Sequence, residues 1–326
     1  MFHKVLYLGP LLFLIYINDL PNISEILNFY LFADDTNIYY EDQTPEKLEK
    51  VINKELKKLH TWLIVNRLSL NIEKTNFVLF HPFNKPCKNK ITLKIQNKSI
   101  SEKDNVKYLG IMIDSGLTWQ AHIDHVSKKI SRTIGLLYKI RSFVNKKMMI
   151  MLYYSLLFSH LNYGIELWGS SHNIHLNRIL ILQKRALRII SYCDFRLENF
   201  EFYPSDPLFY KHKIHKVQDV FIIRIAKFIY NCLVKNTPVN FHHWFKLTDE
   251  IHDYNTRSKY MDINNSIITR TLFVPNARTT NYGLKLIKVQ GTKIWNKLPT
   301  PLRVENLAFS TFIRKLKTHL LELYEH

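Results

Sequence analysis

Cysteine is scarce in this sequence. The 326 residues include only three cysteines, Cys87, Cys193 and Cys232, and no two of them form a C-x-x-C pair. A zinc ribbon needs such pairs and a disulfide framework needs several closely spaced cysteines, so the sequence argues against both. A small, odd number of cysteines is typical of a reducing compartment, and we expect an intracellular protein of the nucleus or cytoplasm.

Metal-ligand clusters of histidine are also lacking, although 15 histidines are scattered along the chain. His122 and His125 are three residues apart on a predicted helix, a spacing from which both side chains could reach one metal ion. No cysteine or second histidine pair lies near them in the sequence. We therefore favour surface histidines over a metal site at this position.

Hydrophobic runs long enough to cross a membrane are missing as well. The N-terminal apolar run is interrupted by Pro10 and is shorter than the ~20 residues that a spanning helix needs. No small-residue cleavage site of a signal peptide follows it. The longer stretch 148–168 contains His160, Asn162 and Glu166, which predicts a buried helix instead. We expect no membrane insertion.

Acidic residues are few and unevenly placed. Asp and Glu number 27 against 46 Lys and Arg, which gives a formal net charge of +19 and a pI near 9.6. The net charge is −5 over residues 1–45, +13 over 46–150 and +11 over 151–326. A basic body behind a small acidic segment is typical of a protein with a polyanionic partner, of which nucleic acid is the first candidate.

Two of the acidic residues stand side by side in an apolar segment, "FADDTNIY" at residues 32–39. Aromatic and β-branched residues flank Asp34 and Asp35 on both sides, which predicts a β-hairpin with the two acids at its turn. A hairpin turn presents both carboxylates to one point in space without burying them. The alternative is a solvated turn in which Asp is simply a common turn residue.

A divalent cation relieves the repulsion between two adjacent carboxylates. Mg²⁺ prefers hard oxygen ligands and leaves room for substrate phosphates. Two such ions about 4 Å apart stabilise the attacking and leaving oxygens of a phosphoryl transfer. A basic region can bind the backbone of a nucleic acid. Combined with phosphoryl transfer assisted by metal ions, such a region is typical of a nucleic-acid polymerase.

Hydrophobic periodicity predicts an α+β fold, mixed in the first 115 residues and mostly helical from Trp119 onward. Thr44 as N-cap and Pro45 at the first helical position mark the clearest helix. Strands are predicted at 76–80, at 91–95 with a partner near Ser99, and at 106–114. Helices are predicted at 10–20, 44–68, 119–143, 146–161, 175–191, 211–234 and 309–324, with a linker over 191–207.

Four segments in fixed order resemble one known family. They are "LGPLLFLIYINDLP" (8–21), "FADDTNIY" (32–39), "LSLNIEKTNFVLF" (68–80) and "VKYLGIMID" (106–114). Together they resemble the C-terminal half of the reverse transcriptase of non-LTR retrotransposons, of the jockey-like kind. The downstream segments "LNYGIELWG" (161–169), "QKRALRII" (183–190), "YNTR" (254–257) and "GTKIWNKLP" (291–299) are similar to the region that follows in that family.

The resemblance implies roles for individual residues. Asp34 becomes the main ligand of Mg²⁺ or Mn²⁺, with Asp35 as a weaker neighbour, and Lys74 assists the triphosphate or the leaving pyrophosphate. The other residues are implied to contact nucleic acid. They comprise the primer-supporting residues Tyr108, Leu109 and Gly110 and the cations Arg178, Lys184, Arg185 and Arg188 of a thumb-like helix.

The implied architecture is a partial polymerase palm over 1–115, a helical thumb-like region over 116–192 and a basic, mostly helical region over 193–326. The implied partners are an RNA template, a DNA primer and dNTP.

The family's polymerase also needs a metal-binding Asp and a Pro-Gln-Gly-Ser stretch upstream of "LGPLLF", and neither occurs in this sequence. The missing upstream half is therefore an implied partner. We expect exposed apolar surface with marginal stability, and no polymerisation by the isolated chain. The alternative is a catalytically inactive remnant that binds nucleic acid.

Overall fold

The computed structural model describes residues 2–81, 90–192, 204–251, 270–304 and 307–325. The chain divides into two units, Met1–Val106 and Lys107–His326. The segment "YNTR", the cysteines Cys87 and Cys193 and most of the predicted linker lie outside the described residues. Among the described helices, none is both long and apolar enough to cross a membrane.

The first unit is built on helix α2, Pro45–Val65, which confirms the clearest sequence prediction. The Thr44 side chain accepts a hydrogen bond from the Lys47 N–H at 3.4 Å, and Pro45 occupies the first turn. The apolar stripe of α2 buries Leu56 and Leu59 in a small core. The other buried members of this core are Leu20, Ile91, Leu93, Ile95 and Ile100.

Short strands surround this core. They form three two-stranded sheets, which pair β1 (Asn28–Phe32) with β2 (Asp35–Tyr39), β3 (Asn76–Phe77) with β6 (Ser101–Glu102), and β4 (Lys94–Ile95) with β5 (Lys98–Ser99). The β4–β5 turn has Gln96 and Asn97 in the left-handed region, as expected for a two-residue hairpin turn. Helix α1 spans Phe2–Tyr16 with Pro10 inside it, so the prediction of a helix starting at Pro10 was wrong.

The predicted single buried strand over 106–114 is instead a hairpin of β7 (Asn105–Tyr108) and β8 (Ile111–Asp114). Leu109 and Gly110 form its turn with φ values of +45° and +84°. Two consecutive left-handed residues reverse the chain, and glycine allows this at little cost. Leu109 therefore lies at a turn and not in a core strand.

Helices make up the rest of the second unit. They are α3 (Gln120–Ile140), α4 (Lys146–Leu152), α5 (Ser159–Asn162), α6 (Ile165–Trp168), α7 (Asn173–Ile190), α8 (Asp206–His212), α9 (Val217–Leu233), α10 (Ile287–Lys297) and α11 (Phe309–Glu322). A π-helical segment, Tyr153–Phe158, joins α4 to α5. The predicted helix over 211–234 is interrupted at Lys213, which has a φ of +54°.

One hydrophobic core serves all of these helices. Ile123 of α3, Phe221 of α9 and Phe312 of α11 belong to the same buried cluster, as does Ile111 of β8. The division predicted from sequence places boundaries at 115 and 192, whereas the two units meet at 106. The difference arises because the β7–β8 hairpin and both predicted helical regions bury their apolar side chains in this one core.

His122 is not a surface histidine, contrary to the sequence prediction, since only 2% of it is exposed. Its Nδ1 accepts a hydrogen bond from the Met112 N–H at 3.2 Å, and the Trp168 ring lies beside it. Burial, together with the charges of His125 and Lys129, lowers the pKa of His122 to about 4.

The depressed pKa of His122 predicts a loss of stability in mild acid. Between the unfolded-state pKa of about 6.5 and the folded-state pKa of about 4, the unfolded chain binds a proton that the folded chain excludes. The free energy of unfolding should therefore fall as the pH drops through this window, by on the order of 3 kcal/mol. In chemical denaturation as a function of pH, His122→Asn should remove this part of the slope, and an unchanged slope would refute the assignment.

Candidate active site and nucleic-acid interface

The β1–β2 hairpin carries the adjacent acidic residues at its tip, as predicted. The antiparallel register runs from Asn28 opposite Tyr39 to Phe32 opposite Asp35, which leaves Ala33 and Asp34 as the turn. Ala33 has a φ of +52°, an uncommon conformation for a residue with a Cβ. The tight turn places the two carboxylates next to each other at the end of the hairpin.

Strand alternation explains why both carboxylates are exposed. Phe29, Leu31 and Ile38 pack against the core of the first unit from one face of the hairpin. Phe32 lies on the other face and is 60% exposed, and Asp35 opposes it across the ladder. The sequence thus folds into a hairpin whose apolar face is anchored and whose acidic tip is directed to solvent.

The donor set at the tip suits a hard divalent cation, because Asp34 and Asp35 offer only carboxylate oxygens. Within the described ranges, no three His, Cys, Asp or Glu side chains are grouped so that they could hold a metal ion. Alone, the pair could therefore supply only part of the coordination shell of such a cation. The remaining ligands would have to come from water, from substrate phosphates or from residues outside the described part.

Lys74 lies in a tight turn between α2 and β3. The Asn71 side chain accepts a hydrogen bond from the Lys74 N–H at 3.1 Å, and the Thr75 hydroxyl donates to the Asn71 carbonyl at 2.8 Å. The turn is thereby held rigidly while the lysine side chain is exposed. Phe77 of β3 packs against the same core as the β1–β2 hairpin, so one core supports both predicted site segments.

The β7–β8 turn, which carries the predicted primer-supporting residues, is held by the segment that follows α5. The Tyr163 hydroxyl donates a hydrogen bond to the Leu109 carbonyl at 2.5 Å. Gly110 faces the Tyr163 ring, and a Cβ at Gly110 would lie 3.4 Å from Tyr163 Cε1. The family resemblance includes "LNYGIELWG" but implies no role for Tyr163, since nothing local in the sequence indicates a partner 54 residues away.

A groove of about 560 Å³ lies beside this turn. Tyr108, Leu109 and Tyr163 provide much of its apolar lining. An ion pair between Arg224 Nε and Glu166 Oε1, 2.6 Å apart, contributes charged groups to the groove. The turn thus presents aromatic and aliphatic side chains next to a paired cation.

The four predicted cations of α7 are not brought into one patch. Arg178 and Arg185 are exposed and lie seven residues apart, so they share one side of the helix. Lys184 and Arg188 are half-buried and lie about a quarter to a third of a turn around from that side. Arg178 Nη1 pairs with Asp124 Oδ1 of α3 at 2.5 Å.

Sequence reasoning missed the cations of α3 that lie beside Arg178. Lys128 and Arg132 line a groove together with Arg178. Their spacing of four residues on a predicted helix was a usable signal, but only the packing of α3 against α7 shows that the two helices share this groove.

Comparison with known proteins gives a consistent result for the first unit. Residues 6–113 match the reverse transcriptase (RNA-dependent DNA polymerase) family. This range contains the Asp34–Asp35 tip, Lys74 and the β7–β8 turn. No solved structure shows a significant match to the chain.

The curated relatives are polymerases of insect mobile elements. A probable RNA-directed DNA polymerase from transposon X-element of Drosophila melanogaster is 24% identical over 207 residues, which cover 59% of this chain and 22% of the relative. The RNA-directed DNA polymerase from mobile element jockey of the same species is 26% identical over 195 residues, covering 56% of this chain and 21% of the relative. A Pol polyprotein from the type-1 retrotransposable element R1 of Bradysia coprophila is 24% identical over 193 residues, covering 56% and 18%.

The matched region is thus about a fifth of the length of each relative. Residues 6–113 thus match the reverse transcriptase family, and the chain is similar to RNA-directed DNA polymerases of mobile elements.

Proposed function

We propose that this chain provides the metal-binding hairpin of the palm and a thumb-like region of an RNA-directed DNA polymerase. The observation that carries the proposal is the exposed Asp34–Asp35 pair at a hairpin tip, within the segment that matches the reverse transcriptase family. The substrates are dNTP, an RNA template and a DNA primer. The protein acts inside the cell, in the nucleus or cytoplasm.

The roles are those that the family resemblance implies, and the chemistry of the side chains is compatible with them. Asp34 holds Mg²⁺ or Mn²⁺ with help from Asp35, and the metal supplies charge stabilisation for the phosphoryl transfer. Lys74, exposed on a rigid turn, neutralises charge on the triphosphate or the leaving pyrophosphate. Tyr108, Leu109 and Gly110 support the primer end from the β7–β8 turn. The α7 cations Arg178, Lys184, Arg185 and Arg188 serve the nucleic-acid backbone.

An upstream half of the polymerase is the proposed protein partner. Helix α1 exposes Leu8, Leu11, Leu12 and Ile15, each by more than half. The solvent-facing side of the β1–β2 hairpin adds Tyr30 and Phe32. An apolar surface of this kind is typical of an interface, and a partner that covers it would also bring further carboxylates to the metal. Together these surfaces favour a chain that works as part of a larger polymerase.

A metal-binding experiment tests the role of the hairpin tip. Titration with Mn²⁺, followed by electron paramagnetic resonance, should detect one weak site in the full chain. Asp34→Asn should weaken it by about tenfold or more, since even outer-shell partners of a metal commonly contribute that much. Asp104→Asn removes an exposed carboxylate elsewhere in the first unit and serves as the matched control. Equal weakening by both variants would contradict a site at the tip.

A primer-extension assay, together with nucleic-acid binding, distinguishes a working part of a polymerase from an inactive remnant that only binds nucleic acid. Because the described residues provide only two clustered carboxylates, the purified chain should incorporate no dNTP. Robust incorporation that Asp34→Ala abolishes would show that the isolated chain is a complete enzyme and would overturn the need for an upstream half. Binding of nucleic acid with a steep salt dependence, without Mn²⁺ binding at the tip, would favour the inactive remnant.

A further inference from the structure

The groove between α3 and α7 has the composition of an anion site. It encloses about 540 Å³ and is lined by Asp124, Ser127, Lys128, Ser131, Arg132 and Arg178. Three cations face one carboxylate, so the groove carries a net positive charge. Its walls are two long helices that pack against each other.

The two cations of α3 have no hydrogen-bond or ion-pair partner within the described part of the chain. Lys128 and Arg132 are both exposed. They lie four residues apart on one face of the helix, where like charges repel each other and destabilise the helix slightly. An anion bound between them would turn this repulsion into attraction.

Arg178 completes the set from the opposite wall. Its Nη1 is held by Asp124 Oδ1 at 2.5 Å, and about half of the Arg178 side chain is exposed. A guanidinium group carries five N–H donors, so one ion pair with a carboxylate leaves donors for a second oxygen ligand. Asp124 therefore orients the guanidinium group and leaves some of its N–H donors available for a ligand.

Ser127 is an independent indication of a ligand. Its residue is 8% exposed, and its Oγ is buried without any hydrogen-bond partner among the described residues. A buried hydroxyl without a partner costs about 1–3 kcal/mol. Ser127 lines the groove together with the exposed Ser131, so its hydroxyl is a candidate donor to an oxygen bound there.

We infer that the α3–α7 groove binds a phosphodiester group of a nucleic-acid backbone, with Lys128, Arg132 and Arg178 as its ligands. The inference rests on the proposed function and adds residues of α3 to it. A phosphate oxygen matches the planar donors of Arg and the point charge of Lys. The groove is open at the surface, and exposed Arg185 continues the basic face two turns further along α7.

The test compares two double variants of the full chain with equal loss of charge. Lys128→Gln with Arg132→Gln removes the groove cations, and Arg314→Gln with Lys315→Gln removes exposed cations of α11. Binding of a fluorescein-labelled RNA–DNA duplex is measured by anisotropy as a function of salt concentration. The groove variant should reduce the slope of log K against log salt by about 0.9, because the groove holds one phosphate and each lost phosphate contact removes about 0.9. The α11 variant should leave the slope unchanged.

Three outcomes would overturn the inference. Equal loss of slope in both variants would show a response to net charge alone, and an unchanged slope in the groove variant would show that the groove is not used. Calorimetric binding of inorganic phosphate that the groove variant loses, with duplex binding intact, would indicate a free-phosphate site. Because Mn²⁺ binding at Asp34 is read separately, failure here leaves the proposed function standing.

Discussion

Phe312→Ala is expected to destabilise the second unit by about 4 kcal/mol, since removing a fully buried Phe commonly costs about 3–5 kcal/mol. Phe312 of α11 is 0% exposed. Its ring stacks on Tyr230 of α9 at 5.1 Å and lies 5.7 Å from Trp295 of α10. The truncation would leave a cavity between three helices that cannot collapse without moving all of them.

Urea denaturation followed by circular dichroism measures this effect. Phe143→Ala is the matched control, because Phe143 is 86% exposed in the same unit, and its truncation should change the free energy of unfolding by about 0.5 kcal/mol or less. The loss in Phe312→Ala should also reach helices α3 and α7, because α11 shares their core. A transition in which α11 alone melts, with the other helices unaffected, would argue for a separate C-terminal domain.

Gly164→Ala is expected to cost about 3 kcal/mol, for two reasons that add. Gly164 has a φ of +61°, and a residue with a Cβ pays roughly 1–2 kcal/mol in the left-handed region. The new Cβ would also lie 2.4 Å from Ile111 Cδ1, and overpacking in a core costs about 1–3 kcal/mol. The clash pushes on β8, next to the turn that Tyr163 holds.

A second substitution separates the two contributions. Ile111→Val removes the clashing Cδ1, so the double variant should recover the steric part of the loss and keep the backbone part. Gly135→Ala is the control, since a Cβ at Gly135 of α3 would have nothing within 4 Å, and this variant should be neutral or stabilised by up to ~1 kcal/mol. Thermal melts of the three variants measure these differences, and a neutral Gly164→Ala would show that the β7–β8 hairpin is not held against α6.

Local patterns predicted the elements whose structure depends on near neighbours. Helix α2 begins where Thr44 and Pro45 place it, because capping and the missing N–H of proline act within one turn. The β1–β2 hairpin forms where apolar, strand-forming residues flank Asp34 and Asp35, and its register brings both acids to the tip. The same kind of reasoning failed at 106–114, since Leu109 in a left-handed turn has no sequence signal comparable to Asn-Gly.

The sequence by itself determined the positive charge, the placement of the acidic pair on a hairpin and the order of the motifs, because composition and short-range spacing express these properties directly. Only the tertiary structure decided that Tyr163 secures the Leu109 carbonyl, that His122 is buried and that α3 shares a basic groove with α7. The hydrogen bond and the groove join elements that are remote in sequence. The burial of His122 depends on which face of its helix packs against the core. The burial of one common core brings them together, and no local window of residues contains that information.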